Sequence, residues 1–259
     1  MKSLLVLGTL LVLPACAPAP APQTSGAVQQ QIEQLTRLGE RTAKAGDHAN
    51  ALGFYQRAYS LDTQNPDLLI VMADMARREG DLHKAEQIYA NGLQYVPDNV
   101  EVIRLYGNVL VERNKLPQAI IQFKNGLALA PNDAMLLNSL GVALDMTGQH
   151  EAAQAQYRNA LNHNAPSLDA KSNYALSLAL SGHLDKAIEM LSPHSHDSTA
   201  PKRLRLNLAL FYGLKGDAET AAQIAGQILD RETVKHNLQV YERLRTMTQA
   251  QRTKAVFGN

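Results

Sequence analysis

The chain has 259 residues, of which 45% are apolar and 5% aromatic, and its formal net charge is +1. Lys2 lies in a segment that we expect to be removed, so the 25 basic residues fall to 24 and match the 24 acidic ones. A neutral chain argues against nucleic acid as a partner, because phosphate binding needs a basic surface. The apolar content is enough for a sizeable core, and the many alanines and leucines favour helix.

Residues 1–15 have the pattern of a signal peptide. A basic start is followed by the apolar run Leu4–Leu13, which is shorter than the ~20 residues that cross a bilayer. The sequence Leu13-Pro14-Ala15-Cys16 then resembles the bacterial lipobox, in which the peptide is cut before the cysteine and the cysteine is acylated. A plain secretory signal with an incidental cysteine is the alternative. Cys16 is the sole cysteine, so no intrachain disulfide can form.

The lipobox resemblance implies lipidation at Cys16 and therefore a membrane as one partner of the protein. Ala17 stands where an aspartate would retain a Gram-negative lipoprotein in the inner membrane, which implies an outer-membrane lipoprotein facing the periplasm. Residues 16–31 are rich in proline and alanine and form a predicted tether.

The rest of the chain repeats with a period of 34 residues, which is the strongest pattern in the sequence. Alanine recurs on this grid, and so does glycine, with Asn114 in the one gap; the positions are Ala51, Ala85, Ala119, Ala153, Ala187 and Ala221, and Gly46, Gly80, Gly148, Gly182 and Gly216. Asparagine is the natural substitute because both residues tolerate a left-handed backbone after a helix.

A small residue in the first helix of each unit and a bulky residue in the second complete the pattern. The small positions are Gly39, Ala73, Gly107, Gly141, Ala175 and Ala209, and the bulky ones are Tyr55, Tyr89, Phe123, Tyr157 and Leu191, whereas repeat six departs from the pattern with Ala225. This pattern resembles the tetratricopeptide repeat. The resemblance implies an all-α solenoid of six helix-turn-helix repeats, stacked as a right-handed superhelix. The predicted repeats are 32–65, 66–99, 100–133, 134–167, 168–201 and 202–235.

Two irregular places stand out near the end of the chain. Pro193 is expected to cut the second helix of repeat five short, because proline lacks the backbone donor that a helix interior needs. Residues 236–259 are predicted to hold a capping helix, part of a segment from about Val234 to Gln249, and a tail that frays from Thr253.

No catalytic motif is found, so the sequence predicts a protein that is not an enzyme and uses no cofactor, metal or small-molecule substrate. A phosphate-binding loop, a Gly-x-Ser-x-Gly elbow and a His-Glu-x-x-His motif are all missing from the sequence. His194 and His196, with Asp197, are the best metal candidates, against the simpler interpretation of an exposed polar loop. The remaining histidines near the turns are expected to be surface or capping residues: His48, His83, His150 and His183.

The candidate site is the groove formed by the first helices, because their exposed stripe faces inward in such solenoids. This stripe is predicted to be polar in the early repeats and apolar in the later ones, and to bind a protein segment through Arg104, Asn108, Asn138, Val142, Met146, Leu176, Leu206 and Leu210. Packing of the apolar members against neighbouring helices is the alternative. Arg104, Asn108 and Asn138 also resemble a clamp for a peptide carboxylate, against plain groove-lining polar residues.

The last repeat carries a second resemblance. The run from Arg203 to Leu210, the turn from Gly213 to Asp217, and then Asn237, Tyr241 and Arg245 are similar to the TadD-like lipoproteins of tight-adherence (Flp) pilus assembly. This resemblance implies an accessory that helps an outer-membrane secretin assemble or localise. A pilotin for another pilus or secretion system, and a scaffold that recruits cell-wall enzymes, remain open alternatives.

Overall fold

A computed structural model describes residues 25–163, 167–194 and 200–258. The described chain is helical and contains no strand; its helices are α1 (Gly26–Lys44), α2 (His48–Leu61), α3 (Pro66–Arg78), α4 (Leu82–Gly92), α5 (Val100–Glu112), α6 (Leu116–Leu129), α7 (Ala134–Met146), α8 (His150–His163), α9 (Leu168–Leu180), α10 (Leu184–Leu191), α11 (Lys202–Lys215), α12 (Ala218–Gly226), α13 (Arg231–Thr246) and α14 (Gln249–Phe257). The predicted signal peptide, the lipidation site Cys16, and His196 with Asp197 lie outside these residues.

Helices α1 to α12 form six antiparallel hairpins whose turns have the predicted chemistry. The turn glycines adopt a left-handed backbone, with φ of 78° at Gly148 for example, and Asn114 is the non-glycine residue with positive φ, at 57°. The N–H of the residue after Asn114 bonds back to the Leu110 carbonyl, which closes the end of α5. The predicted tetratricopeptide-type solenoid is therefore confirmed.

In the first, third and fourth hairpins, a glycine of the first helix faces an aromatic ring of the second. A Cβ added at Gly107 would lie 2.3 Å from Phe123 Cε1, and one added at Gly141 would lie 2.5 Å from Tyr157 Cε1. Both aromatic rings are fully buried, with exposed fractions of 0% and 1%. The absence of a side chain thus lets the two helices approach closely enough to bury the ring.

The stack is curved, with the first helices on its inner side. Contacts join the first helices of successive repeats from α3 to α11, whereas no comparable contact joins the second helices within the described ranges. We call the inner surface of α1, α3 and α5 the N-terminal groove, and that of α7, α9 and α11 the C-terminal groove. None of the described helices is long and apolar enough to cross a membrane.

The first helix starts earlier than the sequence-based expectation, whereas the later irregular places follow it. α1 begins at Gly26, capped by Ser25, so residues 26–31 of the predicted tether are helical. α10 ends after eight residues and continues into the 3-10 turn Ser192–His194, as Pro193 predicts. α13 is the capping helix, and its Tyr241 ring packs where a Cβ on Gly213 would lie, 2.4 Å away.

The prediction of a frayed tail from Thr253 is wrong. Thr248 caps the start of α14 with a capping box, in which the Thr248 hydroxyl accepts from the Gln251 N–H while the Gln251 side chain accepts from the Thr248 N–H. Gly258 ends the helix in a left-handed conformation. Thr253 is only 5% exposed, because α14 folds back over α7 and α9.

Candidate interaction groove

The N-terminal groove is open and ionic. Arg77 and Arg78 both donate to the Asp74 carboxylate, at 3.0 Å and 2.6 Å, and Arg77 also lies 3.7 Å from Glu112 on the next first helix. Burial would raise the pKa of Asp74, but the hydrogen bonds from both arginines outweigh it and the pKa is lowered. A pocket of about 330 Å³ lies between α3 and α5, lined by Ile70, Ala73, Asp74, Arg77, Tyr89, Leu105, Asn108, Val109 and Glu112.

The proposed carboxylate clamp is only partly assembled. Asn108 and Asn138 line one pocket of about 340 Å³. Arg104 is largely buried, with 15% of its side chain exposed, and lies 3.7 Å from Glu101 on its own helix. The Asn138 side-chain oxygen already accepts from the Asn173 amide at 2.9 Å. The three predicted residues therefore present two amides to the groove, and the guanidinium lies beside a carboxylate.

Neutral side chains tie the first helices together in the middle of the groove. Besides the Asn173–Asn138 bond, the Asn207 amide donates to the Ser172 hydroxyl across α11 and α9, at 3.0 Å. On the rim, Arg203 donates to Asp169 at 2.9 Å, and both side chains are more than half exposed. The exposed Arg203–Asp169 pair contributes little to stability, so the amide hydrogen bonds are the polar contacts that hold the first helices together here.

The apolar stripe predicted in the later repeats is present but mostly engaged in packing. Leu176 and Leu210 are partly buried against the hydrophobic core of α9 to α12, and Val142 packs against the core of α5 to α8. Leu206 and Met146 are also partly buried. Val142 and Leu176 also line a pocket of about 130 Å³, which Phe257 of α14 closes from the other side. The stripe therefore contacts a segment of its own chain.

A buried polar cluster lies beneath α14. The Asp145 carboxylate accepts three hydrogen bonds: from His150 Nδ1 at 2.7 Å, from the Ser177 hydroxyl at 2.7 Å and from the Tyr157 hydroxyl at 2.9 Å. Burial, and the Asp145 carboxylate beside it, hold the pKa of Tyr157 well above its usual range, so the phenol stays a donor. On the far side of the imidazole, His150 Nε2 lies 2.9 Å from the Thr253 hydroxyl.

The contacts couple the proton positions of the cluster. An ionised carboxylate only accepts, so beside an ionised Asp145 the His150 ring donates from Nδ1; Nε2 then accepts from the Thr253 hydroxyl in a neutral imidazole and donates to it in an imidazolium. His150 and Asp145 are each 1% exposed, and the Thr253 side chain is the group of α14 that completes the cluster. The order carboxylate, imidazole, hydroxyl is that of a hydrolase triad, but the hydroxyl is buried and serves as a structural contact here.

The expectation that His150 is a surface or capping residue is wrong, and the 34-residue grid contains the signal that would have corrected it. Residues 34 positions before His150 and Ser177 are Leu116 and Ala143, which are buried and apolar. A polar residue at a position that is apolar in the preceding repeat indicates a buried polar contact, because the surrounding fold does not change. The third partner, Thr253, lies outside the repeats, so the grid could not reveal it.

Of the metal candidates His194, His196 and Asp197, His194 is the one that lies within the described residues. The His194 imidazole lies 3.4 Å from the Lys171 ammonium, which as a cation cannot serve as a second metal ligand. Within residues 25–163, 167–194 and 200–258, no group of three or more His, Cys, Asp or Glu side chains is arranged to hold a metal ion.

The repeat pattern of the chain is shared with a known protein family. Residues 28–192, more than half of the chain, match the family model described as Tetratricopeptide repeat. The chain belongs to the tetratricopeptide repeat family. Tetratricopeptide repeat proteins are typically protein-interaction scaffolds, and the chain has an inner groove of the kind that such scaffolds use. None of the curated proteins matches the chain.

Several solved structures share the fold at low sequence identity. The type IV pilus biogenesis factor PilW is 21% identical with a TM-score of 0.68, covering 82% of this chain and 98% of its own. Pseudomonas aeruginosa pilF is 18% identical with a TM-score of 0.63, covering 78% and 92%. YrrB, described as having an unusual peptide-binding site, is 19% identical with a TM-score of 0.53, covering 71% and 96%. At these identities the likeness concerns the fold alone.

Proposed function

We propose that this chain is a non-catalytic scaffold that holds a partner protein in its inner groove at a bacterial membrane. The observation that carries the proposal is the N-terminal groove, where a pocket of about 330 Å³ stays open between α3 and α5. Its walls combine apolar floor residues with charged groups at the rim, which is the composition of a site that binds a protein segment.

The partner we favour belongs to a tight-adherence (Flp/type IV) pilus secretion machine, including its outer-membrane secretin. Two observations support this choice. The last repeat has the pattern of the TadD-like lipoproteins, and the solved structures with the same fold include PilW and Pseudomonas aeruginosa pilF. Assembly or localisation of a secretin needs one partner to be held at a membrane, for which a groove and an anchor are sufficient.

The anchor in this proposal is lipid on Cys16, and the location is the periplasmic side of the outer membrane. Two or three acyl chains would give stable attachment, since each buried CH₂ contributes about 0.8 kcal/mol. Replacing Cys16 by alanine should move the protein from the membrane fraction to the periplasmic extract. Persistence of Cys16→Ala in washed outer membranes would contradict the lipid anchor.

The test of the partner is co-purification from native cells. The lipidated protein is crosslinked lightly, isolated from outer membranes and analysed by mass spectrometry. A groove variant carries Asn108→Arg with Glu112→Arg, which places two cations in the N-terminal groove and removes the 3.7 Å pair with Arg77. The matched control carries Gln118→Arg with Ile121→Arg on α6, where both side chains are exposed.

The expected result is a secretin or pilus protein that is retained by the control and lost by the groove variant. Recovery of cell-wall enzymes instead would replace the pilus assignment by that of a peptidoglycan scaffold. Recovery of components of another secretion system would favour a pilotin. A partner that survives the groove variant would exclude the N-terminal groove as its binding site.

A further inference from the structure

The inner face of the stack holds a segment of its own chain. α14 contacts α7 and α9, the first helices of repeats four and five, at the point where the groove turns from polar to apolar. No element of the 34-residue repeat requires a helix in this place. The stack is already capped by α13, whose Tyr241 and Leu244 are buried against the last repeat.

α14 contacts the groove through a single stripe. Thr253 is buried, Val256 and Phe257 are partly buried, and the opposite side of the helix is exposed. These three residues stand at i, i+3 and i+4, which places them on one face of a helix. A hydroxyl, an aliphatic group and an aromatic ring are therefore the chemistry that the C-terminal groove accepts.

The groove provides a matching group for the hydroxyl and the ring. His150 Nε2 lies 2.9 Å from the Thr253 hydroxyl and Nδ1 lies 2.7 Å from the Asp145 carboxylate, so the imidazole has a fixed orientation and turns one ring nitrogen toward α14. Phe257 reaches the pocket of about 130 Å³ next to Val142 and Leu176. A hydrogen-bonding ring nitrogen and an apolar pocket thus lie one helical turn apart.

α14 does not fill this site completely. Space of about 130 Å³ remains beside Phe257, and the adjoining pocket of about 340 Å³ shares Val142, Asn173 and Arg203 with it. That second pocket in turn shares Asn108 and Glu112 with the pocket of the N-terminal groove. A continuous track therefore runs along the inner face and ends at the tip of α14.

The attachment of α14 allows it to leave. Met247 and Thr248, between α13 and α14, have extended backbones, so a rotation there changes the direction of α14 without unwinding α13. Arg252 donates to the Leu244 and Met247 carbonyls at the end of α13, which holds the base of the helix and not its tip. A helix of nine residues with one buried side chain is also marginal by itself.

We infer that the C-terminal groove is a docking site for a helical segment of a partner protein that carries a serine or threonine and, four residues later, an aromatic residue, and that α14 occupies this site until the partner displaces it. The inference deepens the proposed function and rests on its premise that the groove binds a protein. α14 is tethered through two residues, so it competes at an effective concentration of about millimolar.

The test uses the mature chain with Cys16→Ser and a fluorescent synthetic peptide that reproduces residues 247–257. A release variant carries Thr253→Lys with Phe257→Ser, which removes both contacts from α14 and leaves the groove unchanged. The matched control carries Ala250→Lys with Lys254→Ser on the exposed side of the same helix. Circular dichroism and urea unfolding verify that the variants keep the solenoid.

We expect the release variant to bind the peptide at least tenfold more tightly than the control or the parent chain, because no tethered helix competes. Peptides with valine for Thr253 or alanine for Phe257 should each lose about tenfold or more. A designed helix that keeps only a threonine and a phenylalanine at i and i+4 should still bind, and the same composition at i and i+5 should not.

Three results would overturn the inference. The first is a folded release variant that binds no peptide. The second is equal binding of both spacings, which would indicate a nonspecific apolar contact. The third is a parent chain that forms dimers by exchanging α14, which would make a second copy the occupant. The peptide assay is independent of the cellular partner. Selective binding without any pilus component in the co-purification would leave this inference standing and remove the pilus proposal, and the reverse outcome would do the opposite.

Discussion

The two halves of the groove use the same backbone for different surfaces. One position of the inner stripe, repeated every 34 residues, holds Glu40, Asp74 and Asn108 in the first three repeats and Val142, Leu176 and Leu210 in the last three. The N-terminal groove stays open and ionic, whereas the C-terminal groove is covered by α14. The repeat thus fixes the helices, and a single position per repeat decides what the groove can bind.

The two halves of the groove also differ in how deeply their hydrogen-bonded aspartate is buried. Asp74 in the N-terminal groove shares its charge with two arginines at the surface. Asp145 in the C-terminal groove is enclosed, and its hydrogen-bond partners among the described residues are His150, Tyr157 and Ser177. Changes at the buried centre should therefore cost more than changes at the exposed one.

The largest expected effect follows from removing the buried carboxylate. Asp145→Ala leaves an imidazole and two hydroxyls without their acceptor and should lower the free energy of unfolding by about 3–5 kcal/mol, measured by urea denaturation at neutral pH. Val111→Ala, 34 residues earlier, is the matched control and should cost about 1 kcal/mol or less. Equal costs at the two positions would show that the polar cluster contributes no special stability.

The second-largest loss of stability, from replacing a glycine that faces a buried ring, should be the same in both halves of the groove. Gly107→Val and Gly141→Val each drive a side chain into a buried aromatic ring and should each cost about 1–3 kcal/mol in urea unfolding. Gly53→Val, where an added Cβ meets nothing within 4 Å, serves as the control for replacing a helical glycine. A large cost at only one of the two ring contacts would mean that the halves differ in backbone packing as well as in surface.

A smaller effect should be confined to the C-terminal groove. Thr253→Val keeps the shape but removes the hydroxyl that is hydrogen-bonded to His150, so hydrogen exchange in α14 should become about tenfold faster, from a loss of about 1–2 kcal/mol. The urea midpoint of the whole chain should stay unchanged. Thr246→Val at the exposed end of α13 is the control. Faster exchange throughout α7 and α9 as well would indicate that α14 is part of the core.

The smallest effect concerns an ion pair outside the groove. Burial would raise the pKa of Glu86, but the hydrogen bond from Lys115 and the charge of Arg113 lower it below 4.5. A carboxylate whose folded pKa is lowered stabilises the fold above its unfolded pKa, and this contribution disappears as the pH falls through the folded pKa. Glu86→Gln should therefore lose roughly 1 kcal/mol at pH 7 and nothing near pH 3. A pH-independent loss would contradict the ion-pair explanation.

The sequence predicts the solenoid because its signals are local and repeated. The left-handed turn at Asn114 and the contact of Gly107 with Phe123 depend on residues within one hairpin of a single repeat, so a period of 34 identifies them. The gradient of the inner stripe follows from the same grid. These features need no knowledge of how distant parts of the chain meet.

The position of α14 could not be predicted in this way. Its helix has a local signal, the capping box of Thr248 and Gln251, which the expectation of a frayed tail overlooked. Its place on α7 and α9 depends on the contact of Thr253 with His150, which are 103 residues apart in the chain. The Thr253–His150 hydrogen bond and the partly buried Phe257 ring leave no periodic pattern in the sequence, so only the folded chain shows where α14 lies.

The most direct test of the central claim is a paramagnetic relaxation measurement on the chain with Cys16→Ser. A spin label on Ala255→Cys, an exposed position of α14, reports which amides lie nearby in solution. If α14 covers only the C-terminal groove, amide signals of α7 and α9 should be broadened while those of α1 and α3 keep their intensity. Unbroadened α7 and α9 signals, or equal broadening along the whole stack, would contradict the account.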